Sequence, residues 1–461
     1  MKSSVPTCQS LAEWLNTHVL LASALVLLCS TTPRVFLIWR ADPIHLTKSI
    51  PDVPTYLTPA QSLIEQWAFL DGNGRPEVTR TPGYPAFIGF IMALAGGNLR
   101  TALVIQAIVL SGGVLVLYWL ARRILPPLMA FIGGLLAAFS PWGAVLAGLP
   151  LSDGTFLLLL VLIFFVMKLI EDARNLSAVV FNGACLGLLT GAAILVRPIW
   201  PLIILVVGAL FVRFGPKRKG VWLLLTVTLL CAATPVFLWQ ERNRREADFN
   251  GLSDITGKTV WRYLAAQVRA QVDGQDRFEL TRAAMLDDSN WGLPVQDADD
   301  EHWRRSKAVF HEYPALTVYC FIRSAAEHAI HPSPDVLTWA RLNFPGDFSM
   351  LALLWGGLLS LAYVGWRYKP ASDRDDGAID RGWLLIILLI CLLLTMSSGT
   401  SFGQGSRLRA PLELIVPLLA AVGFVRVIRT GSRLAVRLKR RSSLGNIMYF
   451  ARCKPQPRSF R

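Results

Sequence analysis

An aspartate, a tyrosine and an arginine, Asp52, Tyr56 and Arg80, fall within the first sizeable polar stretch of the chain, which runs to Pro85 after a hydrophobic start. A carboxylate such as Asp52 can take the proton from a hydroxyl as that oxygen attacks an electrophilic carbon. It equally suits the capping of a turn before Pro54, the common fate of Asp-x-Pro. Asp42 is a second carboxylate nearby, with nothing equivalent around it. Arg80 precedes Pro82-Gly83-Tyr84-Pro85. Its guanidinium can grip phosphate oxygens through planar, two-pronged contacts, or it can lie at a membrane edge with its stem in lipid.

Further arginines stand in unusual places. Arg197-Pro198 separates two apolar runs, and Arg407 and Arg409 stand two residues apart ahead of Pro411 and Glu413. An anionic ligand such as a phosphate would account for them, as would pairing with Asp153 or Glu413. Arg34 lies inside the first apolar run, where a charge is by default a functional candidate. His311, His328 and His331 with Glu312 and Glu327 lack a second strong ligand pair, so they read as helix-surface residues and no metal ligand is assigned. A divalent ion stays possible, and no other cofactor is indicated. Neither a phosphate-binding P-loop nor a dinucleotide glycine fingerprint is present.

The elements that must position these residues are mostly apolar. The chain has 461 residues, 53% hydrophobic, with mean hydropathy +0.45, which places it among membrane proteins. Its net charge of +15 sits largely in short loops and in the tail from Arg426, so membrane topology explains it better than nucleic acid does. Seven scattered cysteines show neither metal spacing nor a disulfide framework. The apolar run after His18 reads as a first span rather than a cleaved signal. With about 20 apolar residues per crossing, ten spans are expected, near 16–38, 99–121, 125–147, 154–170, 178–195, 199–213, 221–239, 349–366, 383–398 and 411–428.

Basic clusters orient these spans. Arg122-Arg123, Arg213 with Lys217 to Lys219, Arg367 with Lys369, and the tail all fall on one side if both termini are cytoplasmic. Asn175-Leu176-Ser177, a glycosylation pattern, then falls on the inner side and is set aside. Four regions follow: an N-terminal membrane module, 1–239, whose first outer loop is 40–98; an outer-face helical segment, 240–348; C-terminal spans, 349–428; and a basic cytoplasmic tail, 429–461. Within the first outer loop, Thr58-Pro59-Ala60-Gln61 reads as a capping box. The helix behind it would turn Ala60, Leu63, Ile64, Trp67 and Ala68 to one face and lie along the membrane surface. The short run 84–96 predicts a second surface or re-entrant helix.

Taken together, these residues resemble the polytopic GT-C-fold glycosyltransferases that use lipid-linked sugars, family 39 in particular. That group includes the bacterial relatives of protein O-mannosyltransferases and the aminoarabinose transferases. The likeness rests on Asp52, Tyr56 and Ala60 at four-residue steps, on Arg80 to Pro85 with its Tyr84, and on Gln106. It rests also on Arg197-Pro198, on Trp239 with Arg242 and Asn243, and on Arg407 to Glu413 with its Arg409. Two departures stand out. Ser152-Asp153 replaces a typical Ser-Glu, and Pro54 and Pro59 should keep Asp52 and Tyr56 off a continuous helix.

The resemblance implies an all-α polytopic membrane enzyme in a bacterial inner membrane, with its site facing the periplasm. The reaction implied is an inverting transfer of a sugar from a polyprenyl phosphate to a glycan, lipid or protein acceptor, with Asp52 as base and the arginines on phosphate. No nucleic-acid partner is expected. A transporter or flippase of lipid-linked or anionic substrates is the alternative; it should show repeats and a midplane site, whereas these polar residues gather on one face.

Overall fold

The computed structural model describes residues 8–40, 50–216, 220–289, 291–330, 348–367, 379–402, 405–428 and 430. Asp42 and His331 lie outside them, as does the basic tail apart from Thr430. Among the described residues every regular element is helical, apart from one isolated antiparallel bridge between Leu70 and Pro76.

Among the described residues six helices are long and apolar enough to cross a membrane: Val19–Arg40, Leu99–Ile124, Ser152–Asp172, Leu176–Val196, Val221–Ala247 and the 20 residues Arg381–Thr400. The pair Pro127–Ala138 and Pro141–Gly148, bent by 51°, makes a seventh if counted as one span. Pro201–Phe214 is shorter, and Phe348–Arg367 and residues 412–428 are also helical. All ten expected segments are thus helical, while length and composition qualify six or seven.

Each junction has a physical cause. Leu176–Val196 and Val221–Ala247 press together along Gly183, Gly187 and Gly191, one small residue per turn. A Cβ on Gly187 would fall 2.4 Å from the Thr228 carbonyl oxygen, and one on Gly191 2.7 Å from that of Ala232. Such close approach is how helices associate where no hydrophobic gradient drives them together. Arg34 also acts within the fold. It is 3% exposed, and its Nη1 donates to the carbonyls of Ser30 (2.7 Å) and Ala138 (3.0 Å). Ala138 ends the first half of the bent pair, so Arg34 satisfies a carbonyl that the break leaves open.

Charged residues collect at both ends of Ser152–Asp172, a helix of 21 residues and hence about 30 Å long. At its C-terminal end Arg123 pairs with Asp172 (2.5 Å), Lys168 with Glu171 (2.6 Å), and Arg213 with Glu171 and Asp380. At its N-terminal end lies Asp153. Arg123 and Arg213 therefore share the end of the bundle opposite Asp153.

Between the first two long helices lie two short ones, Asp52–Gln66 and Gly83–Leu94, packed on one another through Tyr56 and Tyr84, whose rings meet edge to face at 5.2 Å. Two expectations are corrected here. The first helix starts at Asp52, ahead of the capping box, and runs on through both prolines. Pro54 sits in the first turn, where the missing N–H has no partner to lose, and Pro59 removes only the bond to Thr55. Its buried face is Val53, Tyr56, Leu57 and Ala60, whereas Ile64 and Trp67 are exposed. Asp52 and Tyr56 thus lie one turn apart on one helix.

The Val221–Ala247 helix continues past the expected boundary at 239 and carries Arg242 and Asn243 beyond the apolar run. A helical segment then spans Ile255–Ile330, built on its own cluster of Trp261, Leu264, Val268, Ala284, Val309 and Cys320. His328 is not the surface residue expected. It is 2% exposed, with Nδ1 3.0 Å from the Ser398 hydroxyl, because it lies where this segment packs on the turn after Arg381–Met396. His311 is exposed.

Candidate functional site

A cavity of about 370 Å³ opens where the Asp52–Gln66 helix, residues 79–81, the Ser152 turn, the Arg197-Pro198 turn, residues 397–401 and 407–411, and the start of the Ile255–Ile330 segment converge. Five charged residues meet there. Arg80 Nη2 donates to Asp52 Oδ1 at 2.7 Å, and Arg407 Nη1 to Asp52 Oδ2 at 2.5 Å. Arg407 Nε donates to Asp153 Oδ2 at 2.7 Å, and Arg197 Nη1 to Asp153 Oδ1 at 2.5 Å. Arginine and carboxylate alternate in the order Arg80, Asp52, Arg407, Asp153, Arg197. Three cations against two anions leave the chain one positive charge in excess, which an anionic ligand would balance.

The two carboxylates differ in access. The Asp153 side chain is fully buried, while that of Asp52 is 33% exposed and lines the cavity. Burial by itself would raise Asp52, but the charges of Arg407 and Arg80 outweigh it and hold the carboxylate well below its usual range. Burial disfavours the charge on Arg407, and Asp153 and Asp52 reverse that, pushing its guanidinium above the usual value.

Each member is held from behind. Arg80 Nε donates to Thr55 Oγ1 (2.9 Å), Arg80 Nη1 donates to the Tyr56 hydroxyl (3.2 Å), and its guanidinium lies 4.4 Å over the Tyr56 ring. The Tyr56 hydroxyl is also 3.0 Å from Ser152 Oγ. Glu77 accepts from the backbone N–H groups of Thr79 and Arg80 and so fixes the turn that carries Arg80. At Gly83 a Cβ would fall 2.6 Å from the backbone of Leu195, so only glycine lets this segment lie against the Arg197 turn. Tyr84, fully buried, donates to Gln106 Oε1 (3.0 Å), and Gln106 Nε2 donates to the carbonyls of Ala147 and Leu149.

The expected site residues therefore separate into groups. Asp52, Tyr56, Arg80, Arg197 and Arg407 line the cavity, and Asp153 lies directly behind Arg197 and Arg407. Tyr84 supports Tyr56 from the core. Arg242 and Asn243 stand outside the cavity. Arg242 donates to the carbonyls of Glu77 (2.8 Å) and Phe69 (2.7 Å), and Asn243 to those of Gly251 and Leu252. Arg409 is also outside, its guanidinium 4.3 Å from the Trp142 ring and 4.1 Å from that of Trp355.

Ser152, Phe156, Tyr263 and the hydroxyl run Ser397 to Ser401 line the cavity as well, and sequence reasoning did not single them out as site residues. Four hydroxyl side chains in five residues, directly after an apolar run, were the available signal. Tyr263 lies in a widened π-helical turn, Val260–Ala265, a feature common at functional sites. Among the described residues no group of three His, Cys, Asp or Glu is placed to hold a metal ion. Arg407 fills the space between Asp52 and Asp153, so a cation bridging them would have to displace it.

Residues 79–239 match a protein family described as dolichyl-phosphate-mannose-protein mannosyltransferase. No curated protein sequence matches the chain. Among solved structures, the chain is similar to the Archaeoglobus fulgidus oligosaccharyltransferase tethered to an acceptor peptide, at 14% identity and TM-score 0.53, covering 91% of this chain and 50% of that one. The apo form of the same enzyme matches at 13% identity and TM-score 0.50, covering 90% and 52%. The chain thus spans about half the length of these archaeal structures. ArnT from Cupriavidus metallidurans bound to undecaprenyl phosphate matches at 16% identity over 88% and 78% of the two chains, with a TM-score of 0.38. At these identities the likeness is one of fold: an all-helical, multi-pass membrane protein of the GT-C kind.

Proposed function

We propose that this chain is a membrane glycosyltransferase that moves a sugar from a polyprenyl phosphate to an acceptor hydroxyl or amide at the outer face of the membrane. The observation that carries this reading is the cavity in which Arg80, Arg197 and Arg407 converge beside one accessible carboxylate, Asp52. The matched family segment, described by a lipid-phosphate-linked mannose donor, contains Arg80, Asp153 and Arg197.

The chemistry runs as a single displacement. The acceptor heteroatom attacks the anomeric carbon, the bond from that carbon to the phosphate oxygen breaks, and the electron pair leaves with the polyprenyl phosphate. The acceptor proton passes to Asp52. One displacement inverts the anomeric centre. The leaving phosphate needs charge stabilisation and no proton, which guanidiniums supply.

Paired with two arginines, which hold its charge, Asp52 is a weak base. A donor phosphate competes for those same guanidiniums. As Arg80 and Arg407 turn to the phosphate, Asp52 loses the charges that depress it and becomes a better base beside the acceptor. Donor binding would thereby prepare the base.

The outer-face assignment rests on the basic clusters. Arg123 and Arg213 stand at the end of the bundle away from Asp153, and basic loops favour the cytoplasm. In a bacterium this is the inner membrane, with the cavity facing the periplasm.

The test uses the purified full chain in lipid vesicles with polyprenyl-phosphate mannose and a mixture of peptide, lipid and glycan acceptors. The expected result is release of free polyprenyl phosphate with the sugar on an acceptor in the opposite anomeric configuration. Movement of intact donor across the bilayer with no release would favour the transporter instead.

A further inference from the structure

The wall of the cavity away from the arginines has the opposite hydrogen-bonding character. Ser397 Oγ donates to the carbonyl of Leu394 (2.7 Å), Thr400 Oγ1 to that of Ser397 (3.4 Å), and Ser401 Oγ to that of Ser398 (3.2 Å). A hydroxyl has one proton. With that proton turned to a carbonyl three residues back, each oxygen presents its lone pairs to a ligand. The cavity therefore has a wall of donors, Arg80, Arg197 and Arg407, and a wall of acceptors.

The acceptor wall is also held firmly. Phe402 is 1% exposed and sits edge to face against Tyr263 (5.7 Å) and Phe278 (5.2 Å), with the Arg277 guanidinium 4.7 Å over its ring. Ser398, the fourth hydroxyl of the run, is tied to His328. These contacts come from the outer helical segment, so that segment fixes the acceptor wall.

We propose that Ser397, Thr400 and Ser401 form a sugar-selecting subsite that accepts hydrogen bonds from the hydroxyls of a neutral sugar, and so sets which lipid-linked sugar is used. This rests on the glycosyltransferase reading given above. A phosphate finds no charged donor on this wall and is drawn to the arginines, which fixes the polarity of the donor. The sugar is bonded directly to that phosphate and must lie in the same cavity. A cationic amino sugar would find lone pairs on this wall but no carboxylate in it. Burying its charge there carries a desolvation cost that lone pairs alone do not offset. Neutral hydroxyls match the wall without that cost.

The experiment measures dissociation constants of the purified full chain in detergent for four probes. These are polyprenyl phosphate, polyprenyl-phosphate mannose, its per-O-methylated analogue, and a polyprenyl phosphate carrying a 4-amino sugar. Mannose should tighten binding over the bare lipid phosphate, and methylation, which removes the donors, should abolish that gain. Each hydrogen bond lost is worth roughly 2- to 12-fold. The amino sugar should bind less tightly than mannose. In the variant S397A/T400V/S401A the mannose gain should vanish while the affinity for bare polyprenyl phosphate stays, which also shows that the variant is folded. Equal affinity for the mannosyl and methylated probes, or tighter binding of the amino sugar, overturns the subsite and leaves the glycosyltransferase reading standing. Failure of all four probes to bind would overturn that reading and this one with it.

Discussion

Arg407 and Arg409 are two residues apart on one short 3-10 turn, Gly405–Arg409, and they live in opposite surroundings. Arg407 lies between two carboxylates and lines the cavity. Arg409 lies between two indoles, with Glu413 Oε1 3.4 Å from its Nε. Cation–π contacts cover the faces of the Arg409 guanidinium, and its complete burial keeps an incoming anion from its edges. Carboxylates hold Arg407 by its edges, and a phosphate offers those edges the same geometry. Placement therefore decides which arginine is free to bind. Arg409 anchors the turn from the core, and Arg407 is carried by that anchor to the cavity.

Substitutions at the two positions should part this pair. The largest effect is expected for Arg409→Ala, which empties the space between Trp142 and Trp355 and leaves Glu413 buried without this cation. Removing one partner of a buried pair costs about 3–5 kcal/mol, so thermal denaturation in detergent should show a large loss of stability. A stable Arg409→Ala protein with weakened donor binding would reverse the assignment. Arg407→Ala comes next. Asp52 keeps Arg80 and Asp153 keeps Arg197, so the fold should survive while polyprenyl-phosphate affinity drops. The expected loss is about 1.5–3 kcal/mol, the worth of a hydrogen bond to a charged group. Arg407→Lys should recover part of it, since an ammonium restores charge without the two-pronged geometry.

A smaller effect is expected at Arg242, which touches the loop behind Arg80 and not the cavity. Arg242→Gln should loosen residues 69–80, visible as faster amide exchange there, with only a few-fold loss in donor affinity, on the scale of neutral hydrogen bonds at about 0.5–1.5 kcal/mol each. A loss as large as that of Arg407→Ala would make Arg242 a direct ligand. The smallest effect at neutral pH belongs to His328. Burial lowers this ring from 6.5 to about 4, against smaller opposing help from Glu327. As pH falls, the unfolded chain takes up the proton first. Stability is therefore whole above pH 6.5 and declines as pH drops towards 4. His328→Asn should flatten that decline, as read by melting temperature between pH 7 and pH 5.

Much of the fold was legible in the sequence because apolar runs set by bilayer thickness need no partner to be recognised. The first short loop helix was legible from its amphipathic spacing, the second from a brief apolar run, and the helical segment after Ala247 from its charged residues and turn signals. The closing contacts were not. Asp52 meets Arg407 across 355 positions, and no local pattern records a separation of that kind. Arg407 and Arg409 share one motif, so spacing could not tell the residue among carboxylates from the one among tryptophans. Pro54 and Pro59 read as breaks, yet tertiary packing of Val53, Tyr56, Leu57 and Ala60 outweighs the lost hydrogen bond. Gly183, Gly187 and Gly191 did carry a readable signal, four-residue spacing of small residues, for one close helix pair.

The account turns on Asp52 being held by arginines until a donor phosphate takes them. The most direct test measures sugar transfer and donor binding together on Asp52→Asn, with Asp42→Asn as control. Asparagine keeps the shape and cannot take the proton, so transfer should fall by roughly 10²- to 10⁴-fold. Polyprenyl-phosphate sugar should bind at least as tightly as before, because the arginines no longer have Asp52 as a rival anion. Asp42→Asn should keep most of its activity. An active Asp52→Asn protein, or one whose donor affinity collapses along with transfer, would contradict the account.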